Sequence, residues 1–476
     1  MTDRGASQTV RLPSGASPPA PAVEPGERAR RRLFLFLGGI VALVPLPLGA
    51  ARPLAWDVLA VAVAAALLWS VAVPDKAPAQ RSGIMVPAGL FLLVLAWIMV
   101  QTSGSTPAAW HAAVWQEAGE ALRQPLSGAV AVDRQAALAG LLRIFAYAGV
   151  FYLSLRLCRD SARAHLALRI LAISGSVYAA YGLLTFWSGN KRVLWLMKTA
   201  YLSDLTGPFI NRNSFGTYLG ICLLAVVCGL LDGFTGLPLF GSWRTRLAML
   251  FEFLSRRVWH LLSLFLVATA LVLTHSRGGF VAALVGLLAL GLLLWLAPAR
   301  AGRGAARWAA AVSLLALLAI AISGGPTLAR LLGTDIDSEE RVAVYERVIA
   351  AIEDHPLTGT GLGSFRLVFP SYRTPAIKNL YDRAHNDYLE AALELGIPAA
   401  VCQVAAIFWL ALVCLRGARR RRRDAVFPCL GLAASVLVGA HALTDFSLQI
   451  PAVATVYAFV LGLGVAQSQS SRPGSG

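Results

Sequence analysis

Charged residues are scarce in this sequence. Only 14% of its 476 residues are Asp, Glu, Lys or Arg, whereas 57% are hydrophobic. So little charge cannot cover the water-facing surface of a chain of this length, which excludes a set of ordinary soluble domains. The strict alternation of apolar and polar residues that marks a β-barrel is also missing. The composition therefore predicts an α-helical protein surrounded by lipid.

Cysteine is rare as well, and no CxxC pair occurs. The six cysteines lie in or beside apolar segments, at Cys158, Cys222, Cys228, Cys402, Cys414 and Cys429. This placement predicts neither disulfides nor a metal cluster.

Acidic residues are outnumbered by basic ones, 25 to 42, which gives a formal net charge of +17. Such an excess can mark a nucleic-acid-binding protein. Here, however, the arginines form short clusters between apolar runs, as the positive-inside rule requires of a membrane protein. No nucleic-acid partner is expected.

The apolar runs approach the roughly 20 residues that a helix needs to cross a bilayer. They predict an all-α, polytopic membrane protein with about twelve transmembrane helices. The predicted spans are 33–50, 53–73, 84–101, 137–157, 167–188, 214–231, 259–274, 280–298, 308–323, 389–415, 425–445 and 449–467.

The distribution of arginine sets the predicted orientation. A basic cluster precedes the first span, and further clusters follow each even-numbered span up to the tenth, so both termini are expected in the cytoplasm. The long segment 324–387 then lies on the other side of the membrane. Loops of this length are usually functional or disordered.

This outer loop contains a predicted amphipathic helix, at 337–354. Asp337 and Glu340 have the spacing of a capping box at its start, and proline at 356 ends it. The face expected to be apolar carries Val342, Tyr345, Val348, Ile349 and Ile352.

Alternating glycines follow that helix, at Gly359, Gly361 and Gly363. Their backbone amides could cradle an anion, although the segment lacks the lysine of a P-loop. The alternative is a tight turn packed against the membrane domain. The sequence alone leaves both interpretations open.

Several arginines are predicted at the outer face. Arg277 lies in a short turn between two spans, Arg212 begins another span, and Arg341 belongs to the amphipathic helix. A guanidinium there can bind a phosphate, contact lipid headgroups or pair with a carboxylate. Inside the membrane, Arg143 and Asp57 are each compatible with a functional or an interfacial role.

His385 lies just before a predicted helix start, where Asp387 and Glu390 again have capping-box spacing. The partial positive charge of a helix N-terminus favours a neutral imidazole, which can accept a proton. His385 is therefore a candidate general base. The alternative is a solvated loop histidine.

Together, these segments resemble the O-antigen ligase and polymerase superfamily of bacterial inner membranes. The match runs in the family's order over about 207–398, although Pro398 and two alanines stand where the family usually has a further glycine. The matching segments are Gly-Pro-Phe at 207–209, Asn-Arg-Asn at 211–213, Thr-His-Ser-Arg-Gly-Gly at 274–279, Glu-Arg at 340–341, His-Pro-Leu-Thr-Gly-Thr-Gly-Leu-Gly-Ser-Phe at 355–365, His-Asn-Asp-Tyr-Leu at 385–389 and Glu-Leu-Gly at 394–396.

The resemblance implies a periplasmic-face glycosyltransferase that takes a glycan from undecaprenyl diphosphate and inverts the sugar carbon, without metal, ATP or cofactor. It implies His385 as general base, with Arg277 and Arg341 as catalytic cations at the diphosphate. The remaining residues expected to bind diphosphate or glycan are Arg212, Asn213, Gly359, Gly361, Gly363, Asn386 and Glu394.

The resemblance also suggests a division of the chain, with membrane lipids as its surroundings. The expected parts are a disordered cytoplasmic tail at 1–32, N-terminal transmembrane helices at 33–206, a ligase-like core at 207–400 including the periplasmic loop 324–387, C-terminal transmembrane helices at 401–467, and a cytoplasmic tail at 468–476.

Two acceptors fit this donor chemistry. A ligase would transfer the glycan to lipid A-core, which is the preferred interpretation, whereas a polymerase would transfer it to a second lipid-linked glycan. Two further readings are a twelve-helix transporter, which would place its polar groups near the bilayer midplane, and a non-catalytic scaffold.

Overall fold

The computed structural model describes residues 25–74, 83–232, 242–244, 251, 255, 257–297 and 336–469. Within these ranges the chain is almost entirely helical, which confirms the predicted all-α class. The α-helices, numbered in chain order, are α1 (Pro25–Leu43), α2 (Pro53–Ala72), α3 (Met85–Thr102), α4 (Ala113–Leu122), α5 (Arg134–Leu157), α6 (Ser161–Trp187), α7 (Arg212–Leu231), α8 (Val258–Leu273), α9 (Arg277–Leu296), α10 (Ile336–Asp354), α11 (Phe365–Val368), α12 (Asp387–Leu395), α13 (Ile397–Arg420), α14 (Val426–His441) and α15 (Pro451–Ala466). Between α6 and α7, two strands of two residues each, β1 (Arg192–Val193) and β2 (Leu196–Met197), pair as an antiparallel hairpin.

Seven of these helices are long and apolar enough to cross a membrane, namely α2, α3, α5, α6, α7, α9 and α13. The helices α8, α14 and α15 are apolar but shorter. The described residues therefore support a multi-pass membrane protein. The total of about twelve spans stays a prediction. The predicted span 308–323 falls outside the described residues.

Two predictions about the first part of the chain are wrong. The helix α1 begins at Pro25 and ends at Leu43, so residues 25–32 of the tail predicted to be disordered are helical, and the predicted span 33–50 is not helical throughout.

Another predicted span is wrong as well. The segment 389–415 is not a single helix, because the chain breaks at Gly396 between α12 and α13. Gly396 has φ +78° and ψ 156°, a backbone conformation open only to glycine. A Cβ there would lie 2.3 Å from the carbonyl oxygen of Leu357. Hydropathy did not reveal the break, because the Leu and Ala residues of α12 continue into the apolar helix α13.

We expect Gly396→Ala to destabilise the protein by about 3 kcal/mol or more, because it combines a disfavoured φ with a backbone clash. The measurement is thermal unfolding of the purified protein in detergent. Gly89→Ala is the matched control, since Gly89 lies inside α3 and a Cβ there meets nothing within 4 Å. That variant should unfold at the wild-type temperature or slightly above it. Equal unfolding temperatures for the two variants would contradict the prediction.

The described part of the predicted outer loop, from 336 onward, has a small core of its own. The helix α10 was predicted there, but its buried face differs from the expected one, since Val342 and Ile349 are 57% and 44% exposed. The buried cluster instead comprises Val344, Val348, Ala351, Ile352, Phe365, Phe369, Ile377, Ala384 and Leu393. The loop therefore folds by packing α10 on α12 and on the segment between them.

The predicted capping box of α10 is also wrong. The helix already begins at Ile336, and the Glu340 carboxylate accepts hydrogen bonds from the backbone amides of Lys378 and Asn379 and from the Asn379 side chain. These bonds hold the pKa of Glu340 below its usual range, even though partial burial opposes the shift. Glu340 thus fastens the segment around Asn379 to α10.

The two ends of the helix bundle differ in character. At one end, Arg163 pairs with Glu27, and Arg257 donates to the carbonyl of Gly229 at the end of α7. The opposite end gathers the first turns of α7 and α9, where Gly216 and Gly279 are in contact. The starts of α7 and α9 therefore lie at the opposite end of the bundle from Arg163 and Arg257.

Candidate active site

Two histidines at this second end share an unusual local structure. His275 and His385 each lie one residue before a helix N-cap, and both have positive φ, 51° and 53°. The N-cap of α9 is Ser276, whose hydroxyl accepts from the Gly279 amide at 3.1 Å. The N-cap of α12 is Asn386, whose side chain accepts from the amides of Tyr388 and Leu389 at 3.0 Å each. Left-handed backbone at a non-glycine residue is uncommon and is concentrated at functional sites.

His385 is paired with an aspartate that the sequence did not single out. Its Nδ1 lies 3.1 Å from Oδ1 of Asp445, whose side chain is 1% exposed. The ring packs edge-on against Phe446, with 4.8 Å between centroids, and against Tyr381, and the Tyr345 hydroxyl donates to the His385 carbonyl at 2.8 Å. Because a carboxylate only accepts, the hydrogen lies on Nδ1, and Nε2 remains as the proton-accepting nitrogen.

The ionisation of Asp445 is governed by its neighbours. Burial favours the neutral acid, but the hydrogen bond from His385 and the nearby imidazoles of His441 and His385 outweigh it and lower the pKa of Asp445. The carboxylate is therefore charged, and it stabilises the positive charge that His385 acquires when it takes a proton.

The chain corner 441–447 brings Asp445 to the site. Nη1 of Arg341 donates to the Thr444 carbonyl at 3.1 Å, and the Asn386 side chain donates to the Leu443 carbonyl at 3.1 Å. A Cβ on Gly278 would lie 3.0 Å from the Thr444 hydroxyl, so the start of α9, which carries Arg277, packs against the same corner. Three candidates from distant parts of the sequence, Arg277, Arg341 and His385, thus surround one corner.

A second histidine–aspartate pair lies on the α7 side. Nδ1 of His275 is 2.9 Å from Oδ1 of Asp204, and Nη1 of Arg212 donates to Oδ2 of the same carboxylate at 2.6 Å. Burial opposes ionisation of Asp204, but His275 and Arg212 together lower its pKa. Lys198 donates to the Asp204 backbone carbonyl at 3.0 Å.

Tyr201 connects the two pairs. The Arg212 guanidinium lies 5.2 Å from the centre of its ring. Burial raises the pKa of Tyr201, and its hydroxyl also lies within electrostatic range of Asp445, Arg212, Arg341 and Asp204. The two pairs also approach each other at the start of α9, because Gly278, three residues after His275, packs against Thr444, the neighbour of Asp445.

The glycines do not serve as the anion cradle considered above. The amide of Gly359 donates to the His355 carbonyl at 3.0 Å, that of Gly361 to the Glu394 carbonyl at 2.9 Å, and that of Gly363 to the Glu394 carboxylate. A Cβ on Gly361 would lie 2.6 Å from Ala131, which lies three residues before α5. Their amides are already satisfied, so the tight-turn alternative describes this segment.

Three of the residues predicted to bind ligand also make structural contacts. Glu394 is 1% exposed and accepts from the Phe365 amide at 3.2 Å, and burial raises its pKa. Oδ1 of Asn213 accepts from the Ser276 hydroxyl at 2.8 Å, which joins α7 to α9. Asn386 caps α12, a role that the sequence had suggested for Asp387. Each fixes a helix end at the site.

Arg143, in α5, packs against the side chain of Trp56 in α2. Its guanidinium lies 4.8 Å from the centre of the Trp56 ring, within electrostatic range of Arg383, Glu390 and Glu394. Arg383 itself pairs with Glu390 at 2.8 Å. The contact with Trp56 shows that the guanidinium packs against protein, and the functional and interfacial roles of Arg143 both stay open.

Fold and site together define a multi-pass membrane protein with an aspartate-paired histidine and several arginines at one end of its helices. Residues 262–404 match the family model described as O-Antigen ligase. Over this segment, the match confirms the resemblance to the O-antigen ligase and polymerase superfamily, whose members are glycosyltransferase-like enzymes. No curated protein matches the chain.

The matched segment contains Arg277, Arg341 and His385 but ends before Asp445 and begins after Asp204 and Arg212. The aspartates of both pairs thus come from parts of the chain outside the match. Their contribution is visible only in the tertiary structure.

Proposed function

We propose that this protein transfers a glycan from undecaprenyl diphosphate to the hydroxyl group of an acceptor, most favourably lipid A-core, as an O-antigen ligase does. The observation that carries the proposal is the His385–Asp445 pair beside Arg341 at the corner that also receives the start of α9. The family match at 262–404 supports the same class of chemistry.

The proposed step is one displacement at the anomeric carbon. Nε2 of His385 takes the acceptor hydroxyl proton as the acceptor oxygen bonds to that carbon. The bond from the carbon to the phosphate oxygen breaks, and its electron pair leaves with the diphosphate. A single displacement inverts the configuration of the sugar carbon.

The leaving diphosphate gathers negative charge, which needs fixed positive partners. Arg277, Arg341 and Arg212 lie around the site, and guanidinium groups bind phosphate oxygens in pairs. The N-termini of α7 and α9 meet here as well, and the first turn of each helix carries partial positive charge. This arrangement requires no metal ion in the proposed step.

The proposed location is the periplasmic face of a bacterial inner membrane, with both termini in the cytoplasm. Its support is the separation of the arginine clusters, such as that around Arg163 and Arg257, from the candidate site at the other end of the bundle. The polar site residues also lie at helix ends, whereas a carrier places its substrate site near the bilayer midplane.

The test is transfer of a labelled glycan from undecaprenyl diphosphate by the purified full chain in detergent. Lipid A-core and a second lipid-linked glycan are offered as separate acceptors. Labelled lipid A-core is the expected product. Extension of the second lipid-linked glycan alone would assign the protein as a polymerase, and no transfer to either acceptor, with a folded protein, would contradict the proposal.

A further inference from the structure

We propose that Asp204 is a positioning residue that holds His275 and Arg212 together as one phosphate-binding unit, and that this unit takes a phosphate of the carrier diphosphate across the site from His385. The inference rests on the proposed function. It assigns roles to Asp204 and His275, which lie beside the site but have no part in the step described above.

The contacts of Asp204 carry the argument. Its carboxylate is 5% exposed and uses one oxygen for Nδ1 of His275, at 2.9 Å, and the other for Nη1 of Arg212, at 2.6 Å. Both donors are thereby fixed, while Nε2 of His275 and the other nitrogens of the guanidinium remain for a ligand. In the described part of the chain, Nε of Arg212 has no hydrogen-bond acceptor.

The charge around this unit favours an anion. Arg212 and Lys198 supply two positive charges against the one negative charge of Asp204, before any charge on His275 is counted. Arg212 is also the first residue of α7, and His275 stands two residues before the first residue of α9. Two helix N-termini therefore add their partial positive charge to the same place.

The two histidine–aspartate pairs differ in a way that assigns different roles. Asp445 receives one side-chain donor, His385, and its second oxygen has no hydrogen-bond donor among the described residues. Asp204 divides its charge between His275 and Arg212. Because Asp204 holds two donors in place at once, we assign its histidine to the phosphate, to which Nε2 of His275 donates when both ring nitrogens carry hydrogen. His385, whose aspartate holds no arginine, is assigned as the base.

The test compares Asp204→Asn with its matched control, Asp445→Asn. Binding of undecaprenyl diphosphate to the purified full chain in detergent is measured by titration, with thermal unfolding as the check on folding. Asp204→Asn should raise the Kd about tenfold or more, because the asparagine amide cannot accept from both donors. Asp445→Asn should leave the Kd within about twofold, since Asp445 acts on the proton-transfer step.

His275→Gln supplies a second variant that does not depend on Asp204→Asn folding. It should also raise the Kd, and the double variant should bind no more weakly than Asp204→Asn alone, because both residues act as one unit. Independent, additive losses would overturn the proposal.

Phosphatidylglycerol vesicles distinguish the carrier diphosphate from a membrane headgroup as the source of the phosphate. We expect Asp204→Asn to bind undecaprenyl diphosphate more weakly than the wild type but to bind the vesicles equally well. An equal loss of vesicle binding would overturn the assignment. If Asp204→Asn binds undecaprenyl diphosphate normally while His385→Ala abolishes glycan transfer, the inference about Asp204 is wrong and the proposed function stands. If His385→Ala retains glycan transfer, the proposed function is wrong.

Discussion

Replacing His385 by alanine should reduce the rate of glycan transfer by about a thousandfold, within the range of 10²–10⁴ that general-base catalysis contributes. The substitution removes the group that takes the acceptor proton. It leaves the cap of α12 in place, because Asn386 provides that cap. The measurement is the initial rate of labelled-glycan transfer at saturating donor, together with the Kd for undecaprenyl diphosphate, which should change little.

The matched control is His355→Ala, the same substitution at an exposed histidine of the same outer loop. Its backbone carbonyl accepts from Gly359, and alanine keeps that bond. The control should transfer at the wild-type rate. A His385→Ala protein that transferred as fast as the control would remove His385 as the base and favour a scaffold for polysaccharide assembly.

Replacing Asp445 by asparagine should reduce transfer by roughly a hundredfold or more, although the side chain keeps its size. The asparagine amide can donate to Nδ1, which moves the histidine hydrogen to Nε2 and removes the proton-accepting nitrogen. In the other orientation of the amide, the charge that stabilises the protonated His385 is still lost. We expect kcat to fall and KM to stay near its wild-type value.

Asp382→Asn is the control for this substitution, since Asp382 is exposed in the segment just before His385. It should retain transfer within about twofold. An Asp445→Asn protein with unchanged kcat would show that the pair has only a structural role. A rise in KM alone would instead place Asp445 in substrate binding.

The candidate site was partly readable from short motifs. Each predicted cation or base stands in a recognisable local setting: Arg277 in a tight turn between apolar runs, His385 just before a helix start, and Arg341 in an amphipathic helix. The glycines were readable as a segment of special backbone conformation. Whether their amides were available for a ligand depended on acceptors such as the Glu394 carbonyl, which lies more than thirty residues further along the chain.

The break at Gly396 and the buried face of α10 show a second limit. Hydropathy reports which residues avoid water, but it averages over a break such as that between α12 and α13. Likewise, Val342 and Val344 are equally apolar, yet only the packing of α10 on α12 decides that Val344 is buried and Val342 exposed.

By itself, the sequence determined that this is an all-α, multi-pass membrane protein, because scarce charge and repeated apolar runs leave no other way to satisfy the backbone. It also determined which segments carry histidine and arginine at helix ends. Only the tertiary structure decided that Asp445 pairs with His385, and that Asp204 pairs with His275 and Arg212. Those carboxylates come from other segments of the chain, so their partners are chosen by helix packing, which no local pattern records.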